Sequence, residues 1–305
     1  MNTRKFFCTL FFLLVFATGA FAARKPAEVR GGMLSYLGTT EEAFQQGVDE
    51  LNSLMRLSSM GVGFSRNYAT DVLEMLKVFQ ENRYVVTFFD SLTAMLMALD
   101  AGKIDDISLP EITARYVMKN DSEYKILFAL RIPSAIAFGF RNESTALRDE
   151  FNTAITAMKA DGTLKELEEK YIGNGTDFQA DSAAFAKFDG ADTIKVAVTG
   201  DMPPVDYINE KGTAAGYNTA VISEIGKRLK KNVEIINIEA GARSASLTSG
   251  RADVIFWYRT TEGVEFPEEI AVNDNPVNKV INDTTEGVIL SEPYYRWERV
   301  LFLTK

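Results

Sequence analysis

The sequence lacks most of the side chains that commonly perform covalent catalysis. It has no histidine in 305 residues, and its one cysteine, Cys8, lies in an apolar run near the start of the chain. Nucleophiles activated by histidine and zinc sites built on thiolate or imidazole ligands are therefore excluded. Carboxylates, lysines, tyrosines and serines remain as functional groups. The sequence thus favours binding over covalent chemistry, and we predict no cofactor and no metal.

The first 22 residues are typical of a secretory signal peptide. Arg4 and Lys5 precede an apolar run from Phe6 to Ala17, and residues 20–22 form a small-x-small cleavage site. The apolar run is too short to span a bilayer, although an uncleaved anchor is the alternative. Cys8 lies inside the run rather than at the cleavage point, so lipid modification is not expected. We predict a periplasmic protein that is secreted through a cleaved signal peptide.

The charge balance restricts the partners of the secreted chain. The whole sequence has 33 basic and 42 acidic side chains, and loss of the two basic residues of the leader leaves 31 against 42. Nucleic acid and anionic membrane surfaces are poor partners for such an acidic surface, and no nucleic-acid binding is predicted. A chain of about 280 residues is long enough for two domains of ordinary size.

Strand and helix patterns alternate in the first half of the chain. Gly32 to Leu37 is typical of a buried strand, and Thr39 with Glu42 forms a capping box that predicts a helix start. Free amide groups at such a start can hold an anion, although most capped helices hold none. Strands are also predicted at 84–89, 104–109 and 124–130, with helices from 91 and over 111–120. This alternation favours a parallel or mixed sheet with helices on both faces.

The middle of the chain ends one unit and begins another. A strand over 135–140 precedes two amphipathic helices, and Thr163 with Glu166 predicts a second capping box at the start of the later helix. Gly173 to Ala191 is rich in small and polar residues without a clear period, which is typical of a linker. The alternation of strand and helix restarts at Thr193.

Several of these stretches resemble family 3 of the bacterial extracellular solute-binding proteins, the periplasmic amino-acid-binding type. The run VVTFFDSLTAMLMALDAGKIDD is similar to the strand-helix-strand segment of the family's second lobe, and ADGTLKELEEKYIG to its closing segment. The opening of the family is matched by four ordered motifs after Thr193, among them VAVTGDMPP and LSEPYY. The resemblance implies an α/β fold of two lobes, each a mixed sheet flanked by helices, that close on a solute as a Venus flytrap.

The order of these motifs is reversed relative to the family, because the closing segment precedes the opening segment. We therefore predict a circular permutation of the two-lobed fold. Residues 1–22 are the signal peptide, 23–135 the second-lobe domain and 136–172 the return to the first lobe. Residues 173–192 form a linker that joins the family's old termini, and 193–305 form the first-lobe domain that ends at the hinge crossing. A monomer is expected, and a domain-swapped dimer is the alternative.

The resemblance also implies which residues face the solute. In the first lobe these are Thr199, Asp201, Met202, Trp257, Tyr258 and Thr260, and in the second lobe Tyr36, Thr39, Thr40 and Pro110. Core packing at a strand end is the alternative role for the two aromatic residues, and ordinary loop packing for Met202.

Two departures from the family concern the ligand. Family members that bind α-amino acids hold the ligand carboxylate with an arginine about twelve residues after the aspartate that Asp253 matches. This sequence has no arginine at that position. Arg259 or Arg243 could replace it. The family's aspartate for the ligand amine aligns with Pro110, and Glu111 is the neighbouring carboxylate. We therefore expect a small polar solute, an amino acid or a related compound, that is not bound in the standard amino-acid manner.

The expected role is capture of that solute for the permease of an ABC-type importer. A secreted lyase-like enzyme on the same scaffold, with Glu111 or Asp201 as acid or base, is one alternative. A ligand-sensing module that acts on a separate receptor is another. Because no recognisable catalytic spacing is present, we predict a binding protein rather than an enzyme.

Overall fold

The computed structural model describes residues 27–34, 82–130, 134–173, 178, 182–260 and 287–305, and the statements below concern these ranges. The helices are α1 (Leu92–Asp100), α2 (Glu111–Asn120), α3 (Thr145–Ala160), α4 (Thr163–Tyr171), α5 (Tyr217–Leu229) and α6 (Arg243–Thr248). The strands are β1 (Ala27–Leu34), β2 (Asn82–Phe89), β3 (Asp106–Pro110), β4 (Lys125–Leu130), β5 (Ser134–Arg141), β6 (Thr193–Val198), β7 (Asp201–Met202), β8 (Asp206–Ile208), β9 (Ala214–Ala215), β10 (Asn232–Asn237), β11 (Val254–Thr260), β12 (Val288–Leu290), β13 (Tyr295–Trp297) and β14 (Val300–Thr304).

The strands form two large sheets and one small one. A five-stranded sheet has the order β2-β1-β3-β14-β4, and a six-stranded sheet has the order β10-β6-β11-β5-β12, with β13 also paired to β5. The small sheet is β7-β8-β9. Helices α1 and α2 pack on the five-stranded sheet, and α3, α5 and α6 pack on strands of the six-stranded sheet. We call these units the five-stranded lobe and the six-stranded lobe. The predicted mixed α/β fold of two sheets flanked by helices is confirmed.

The central strands are buried because both of their faces are covered. All five residues of β3 and the first seven of β5 are buried. A run of this kind, without alternation, is typical of a strand between two helical layers. Gly32 in β1 lets α1 approach closely, since a Cβ at this position would lie 2.7 Å from Ile104 Cδ1 and 3.1 Å from Met95 Cγ.

Strand β14 lies inside the five-stranded sheet although it is the last element of the sequence. It runs antiparallel to both β3 and β4, and β1 flanks β3 on the other side. Asp105 links these strands, because its amide donates to Arg30 O and its carbonyl accepts from Thr304 Oγ1 at 3.0 Å. Residues from both ends of the described chain therefore complete one sheet.

Within the described ranges, the chain passes between the two lobes twice. One passage lies between β4 and β5, and the other lies between β13 and β14. The passages are neighbours, because Trp297 of β13 is paired with Ser134 of β5 and Val300 of β14 with Leu130 of β4. The two sheets are therefore joined by adjacent crossings, which is the arrangement of a hinge.

The predicted cap of α4 is wrong in detail. Thr163 is the first helical residue, and the N-cap is Gly162, whose φ of +84° places it in the left-handed region. The amide and the hydroxyl of Thr163 both donate to Asp161 Oδ1, at 3.0 and 2.7 Å. Asp161 therefore takes the capping role that the sequence pattern assigns to Thr163.

The end of the predicted linker packs on the six-stranded lobe without forming a helix or strand within 182–192. The Asn232 side chain accepts from the amide of Phe188 and donates to the carbonyls of Phe188 and Ala191. Ser223 Oγ donates to Ala184 O at 2.7 Å. In the part of the chain that is described, no helix is long and apolar enough to cross a membrane.

Candidate functional site

The candidate site lies where the carboxyl ends of strands from the two lobes face each other. In the five-stranded lobe β1, β2 and β3 are parallel, so their carboxyl ends share one edge, from which α1 and α2 begin. In the six-stranded lobe β6 and β11 are parallel, and the turn Thr199–Gly200 follows β6 at the corresponding edge. Ligands of open α/β sheets bind outside such carboxyl ends.

Asp201 joins the two edges. Its Oδ2 accepts a hydrogen bond of 2.8 Å from the amide of Leu92, the first residue of α1 in the other lobe. The amide groups of a first helical turn have no partner within the helix and attract negative charge. Ser91 Oγ accepts from the Ala94 amide at 3.2 Å, so Asp201 and Ser91 satisfy different amides of the same turn.

A fully buried carboxylate holds the turn that presents Asp201. Asp206 has no exposed surface, and its Oδ2 lies 3.3 Å from the Gly200 amide and 3.5 Å from Thr199 Oγ1. The Ile208 amide donates to Gly200 O at 2.9 Å. Gly200 has a φ of +71°, and a Cβ on it would lie 2.7 Å from Ile208 Cγ1. The turn therefore requires glycine for both its backbone conformation and its packing.

Buried aromatic residues form a hydrogen-bonded group in the interior of the six-stranded lobe. The Tyr294 hydroxyl donates to Asn218 Oδ1 at 3.1 Å, and the Tyr217 hydroxyl donates to Tyr294 O at 3.0 Å. Burial raises the pKa of the Tyr294 hydroxyl well above its usual value, so it stays neutral. Tyr294 also stacks on Phe138 of β5, with ring centroids 4.1 Å apart. The interior beneath the candidate site is therefore a packed, hydrogen-bonded layer.

The predicted residues of the five-stranded lobe are only partly described. Tyr36, Thr39 and Thr40 lie outside the described residues. Pro110 is buried at the end of β3, where it is the N-cap of α2. Glu111 is the first residue of α2, and its Oε1 accepts from Arg115 Nη2 at 2.6 Å and Nε at 3.0 Å. The carboxylate is therefore already engaged by an arginine of its own helix.

The predicted residues of the six-stranded lobe differ in their exposure. Thr199 and Asp201 are half-buried at the edge. Met202 is fully buried in the hydrophobic core, which agrees with the alternative that it packs within the lobe and does not face the solute. Residues 257–260 form the end of β11, and the pairing of β11 with β5 shifts between Ile255 and Tyr258. The side chains of Trp257, Tyr258, Arg259 and Thr260 lie outside the described part of the structure.

Arg243, a possible substitute for the family's arginine, is buried in the six-stranded lobe. Only 7% of its surface is exposed, and its Nη2 donates to Phe256 O at 3.0 Å. The positive charge of Arg243 lowers the pKa of the Tyr294 hydroxyl, whereas the negative charge of Asp206 raises it. The described contacts of Arg243 are therefore with the interior of the lobe.

A cavity of about 470 Å³ lies between the two lobes beside the Asp201 contact. Its volume is within the usual range of small-molecule sites. Among the described residues, its polar lining comes from both lobes and contains three carboxylates and three tyrosines but no lysine or arginine: Thr93, Asp100, Tyr116, Asn120, Asp121, Tyr124, Asp201 and Tyr207. Such a lining is acidic and aromatic.

Two of these tyrosines meet across the lobes. Tyr116 of α2 and Tyr207 of β8 have ring centroids 6.5 Å apart. Neither residue is among the site residues predicted from the sequence. The sequence indicates a role for Tyr116 only weakly, because this aromatic residue lies just outside the buried stripe of α2, which includes Ile112 and Val117. No such indication exists for Tyr207, since its role depends on how the lobes meet.

A second cavity, of about 1070 Å³, lies between α4, α5 and the β8-β9 hairpin. Apart from Tyr116, its described lining belongs to the six-stranded lobe and the segment before it, whereas the lining of the smaller cavity is shared between the two lobes. Within the described ranges, no group of three or more acidic, histidine or cysteine side chains could hold a metal ion. The smaller cavity is therefore the candidate site.

The comparisons with known sequences identify one family. A model of the bacterial extracellular solute-binding proteins, family 3, matches residues 58–174 and 194–262, which together are more than half of the chain. No curated protein has significant similarity to the sequence.

Solved structures show a more distant likeness. The ligand-binding component of an ABC-type import system from Staphylococcus aureus is 11% identical, with a TM-score of 0.40 over 90% of this chain and 66% of that protein. The alkanesulfonate-binding protein from Xanthomonas axonopodis pv. citri is 10% identical, with a TM-score of 0.37 over 93% and 67%. A binding protein of an ABC phosphonate transporter from Pseudomonas aeruginosa is 11% identical, with a TM-score of 0.40 over 92% and 68%. The chain thus spans about two thirds of their length, and likenesses at this level identify no ligand.

Proposed function

Because this chain belongs to family 3 of the bacterial extracellular solute-binding proteins, we propose that it captures a small polar solute between its two lobes and delivers it to an ABC-type importer. The family is one of binding proteins rather than enzymes, in agreement with the prediction from the sequence. Its extracellular character is also in agreement with the predicted export of the chain.

The observation that carries the proposal is the cavity of about 470 Å³ between the lobes. Its acidic and aromatic lining suits a solute with a cationic group, since a cation is attracted both by carboxylates and by the faces of tyrosine rings. Asp100 and Asp121 are paired with Lys305, at 2.9 and 3.8 Å. Asp201, at the opposite end of the cavity, accepts from the neutral amide of Leu92 and not from a cationic side chain in that bond. We therefore propose a small cationic solute.

Binding of an α-amino acid in the standard manner has little support. Glu111, the neighbour of the position where the family holds the amine, is engaged by Arg115. Arg243 is engaged by the backbone of β11. A zwitterion placed between these groups would lose hydration without gaining both charged partners, at a cost of several kcal/mol.

Most of the residues implied by the family resemblance are proposed to line the same cleft. These are Tyr36, Thr39, Thr40, Glu111, Thr199, Asp201, Trp257, Tyr258, Arg259 and Thr260. The other two implied residues, Pro110 and Met202, are buried within their lobes. The position of β11 supports this set, because its carboxyl end lies at the same edge as the turn after β6. Trp257 and Tyr258 are proposed to add aromatic faces to those of Tyr116 and Tyr207.

We also propose that the fold is a circular permutant whose linker, 173–192, joins the family's old termini. The position of β14 supports this proposal, because β1 and β14 both flank β3, about 10 Å apart at ordinary strand spacing. The packing of residues 182–192 on the six-stranded lobe also supports it. The proposed form is a periplasmic monomer, released from its leader at residue 22.

The experiment that tests the function is a thermal-shift screen with small compounds of similar size and different charge, such as agmatine, putrescine and choline against glutarate, succinate and propanesulfonate. A ligand that binds only the folded chain raises its melting temperature. We expect the cationic compounds to do so and the anionic compounds to have no effect. Stabilisation by the anionic set alone would contradict the proposal.

Variants then locate the bound compound. Tyr116→Leu removes one aromatic face, and Asp201→Asn removes the charge of a residue that lines the smaller cavity but not the larger one. For each we expect about a tenfold loss of affinity for the compound found in the screen, measured by calorimetry. Phe185→Leu is the matched control, since Phe185 packs on the hydrophobic core and does not line the cavity. Trp257→Ala tests the proposed contribution of β11 in the same way. Equal losses for Tyr116→Leu and Phe185→Leu would place the site elsewhere.

A further inference from the structure

The hydrogen bond between Asp201 and α1 needs no solute, because its donor and its acceptor both belong to the chain. The carboxylate comes from the six-stranded lobe, and the amide of Leu92 comes from the five-stranded lobe, 2.8 Å away. A charged hydrogen bond to a helix N-terminus is stronger than one between neutral groups, since the aligned peptide dipoles also favour the negative charge. The bond exists only while the two carboxyl edges face each other.

Both partners are held in position within their own lobes. The turn before Asp201 is fixed by the buried Asp206 carboxylate and by the amide of Ile208. Leu92 is 4% exposed, and its helix is already capped by Ser91 at another amide. Since neither backbone segment has to be ordered when the lobes meet, the bond orders little more than the Asp201 side chain.

We propose that Asp201 is a latch across the cleft, which stabilises the closed arrangement of the lobes by itself. The latch bonds when the lobes approach and breaks when they separate, so the chain without a solute spends much of its time closed. A closed population of this kind reduces the rate at which a solute enters, because entry requires the open form. The inference concerns the chain alone and does not rest on the proposed function.

The experiment measures the distance between the lobes in the absence of any solute. The full chain carries Cys8→Ser, and cysteines replace Lys103 in one lobe and Glu234 in the other, both of which are exposed. The protein is unfolded in guanidinium and refolded to remove any bound compound, and spin labels on the two cysteines report the distance distribution by pulsed electron resonance. We expect a major short-distance population in the parent protein.

Two substitutions remove the bond from opposite sides. Asp201→Ala removes the acceptor. Leu92→Pro removes the donor amide at the first position of a helix, where proline is well accepted, and Ser91 has the extended backbone (φ −149°, ψ 148°) that a residue before proline needs. We expect each change to lower the ratio of closed to open molecules about tenfold, as expected for a partly exposed charged hydrogen bond.

The double variant distinguishes the latch from two unrelated effects. Since both changes remove the same bond, we expect the double variant to be no more open than either single variant. Glu210→Ala is the control, because Glu210 is an exposed carboxylate after β8, close to Asp201 in the sequence. Asp201→Asn, which retains the shape of the side chain, covers the case in which Asp201→Ala folds poorly.

Three outcomes would overturn the latch. The first is a parent protein with no short-distance population. The second is an unchanged distribution in Asp201→Ala and Asp201→Asn, or an equal change in Glu210→Ala. The third is an effect of the double variant equal to the sum of the single effects. None of these results would affect the thermal-shift test, which measures solute binding and not the distance between the lobes.

Discussion

Replacement of Gly200 by alanine tests how the turn that presents Asp201 is held. Two effects are expected from the structure. The φ of +71° costs a residue with a Cβ about 1 to 2 kcal/mol relative to glycine. The new Cβ would also lie 2.7 Å from Ile208 Cγ1 and 3.0 Å from Ile208 Cδ1, and crowding of this kind costs about 1 to 3 kcal/mol. The expected loss is therefore about 2 to 5 kcal/mol in the free energy of unfolding.

The matched control is Gly212→Ala. Gly212 has nearly the same φ, +72°, but no atom lies within 4 Å of a Cβ built on it. Only the backbone term applies there, so we expect a loss of about 1 to 2 kcal/mol. Both substitutions reduce the freedom of the unfolded chain equally, and this contribution cancels in the comparison.

The assay is urea denaturation of the parent protein and both variants, followed by fluorescence. A double-mutant cycle with Ile208→Ala then isolates the contact, because the cost of Gly200→Ala should fall to that of Gly212→Ala once the Ile208 side chain is shortened. Equal losses for Gly200→Ala and Gly212→Ala in the parent background would refute the packing argument. A cost of Gly200→Ala that is unchanged by Ile208→Ala would refute it as well.

Two further predictions concern the six-stranded lobe. Arg141→Met removes the guanidinium that donates to Ala252 O at 2.7 Å and to Asp253 Oδ1 at 3.2 Å. Because the buried carbonyl of Ala252 then loses its described partner, we expect the free energy of unfolding, measured by urea denaturation, to fall by about 2 to 4 kcal/mol. Lys165→Met, which removes an exposed ion pair, is the control and should change that free energy by less than about 1 kcal/mol. Hydrogen bonds from Thr163, then the ion pair with Arg228, lower the pKa of Asp161 from 3.8 to about 2. A lowered folded-state pKa contributes stability that is present above pH 3.8 and is lost as the pH falls to 2. We therefore expect the parent protein to lose more stability over this interval than Asp161→Asn, and parallel pH profiles of the two would contradict the assignment.

Much of the local structure follows from the sequence. The helix predicted at 111–120 has those bounds in the structure, because Pro110 favours an extended backbone before it and its apolar residues recur at helical spacing. The cap of α4 was assigned to the wrong residue since Asp161 and Thr163 are both good caps. The left-handed backbone of Gly162 decides between them, and the sequence pattern does not report it.

The site could be predicted only in part, because its chemistry depends on contacts between distant segments. Asp201 was named from the family resemblance, but its partner, the amide of Leu92, is a backbone group with no sequence signal. Asp206 follows two prolines in what looks like an exposed loop, yet it is fully buried. Tyr116 and Tyr207 are 91 positions apart, and their proximity is set by the closure of the lobes.

The most direct test of the account is a crystal structure of the chain with the compound that raises its melting temperature most. We expect density for that compound in the cavity of about 470 Å³ between the lobes, in contact with Asp201 and with at least one of Tyr116 and Tyr207. Density in the larger cavity beside α5, or contacts with one lobe only, would contradict the central claim that the solute is held between the lobes.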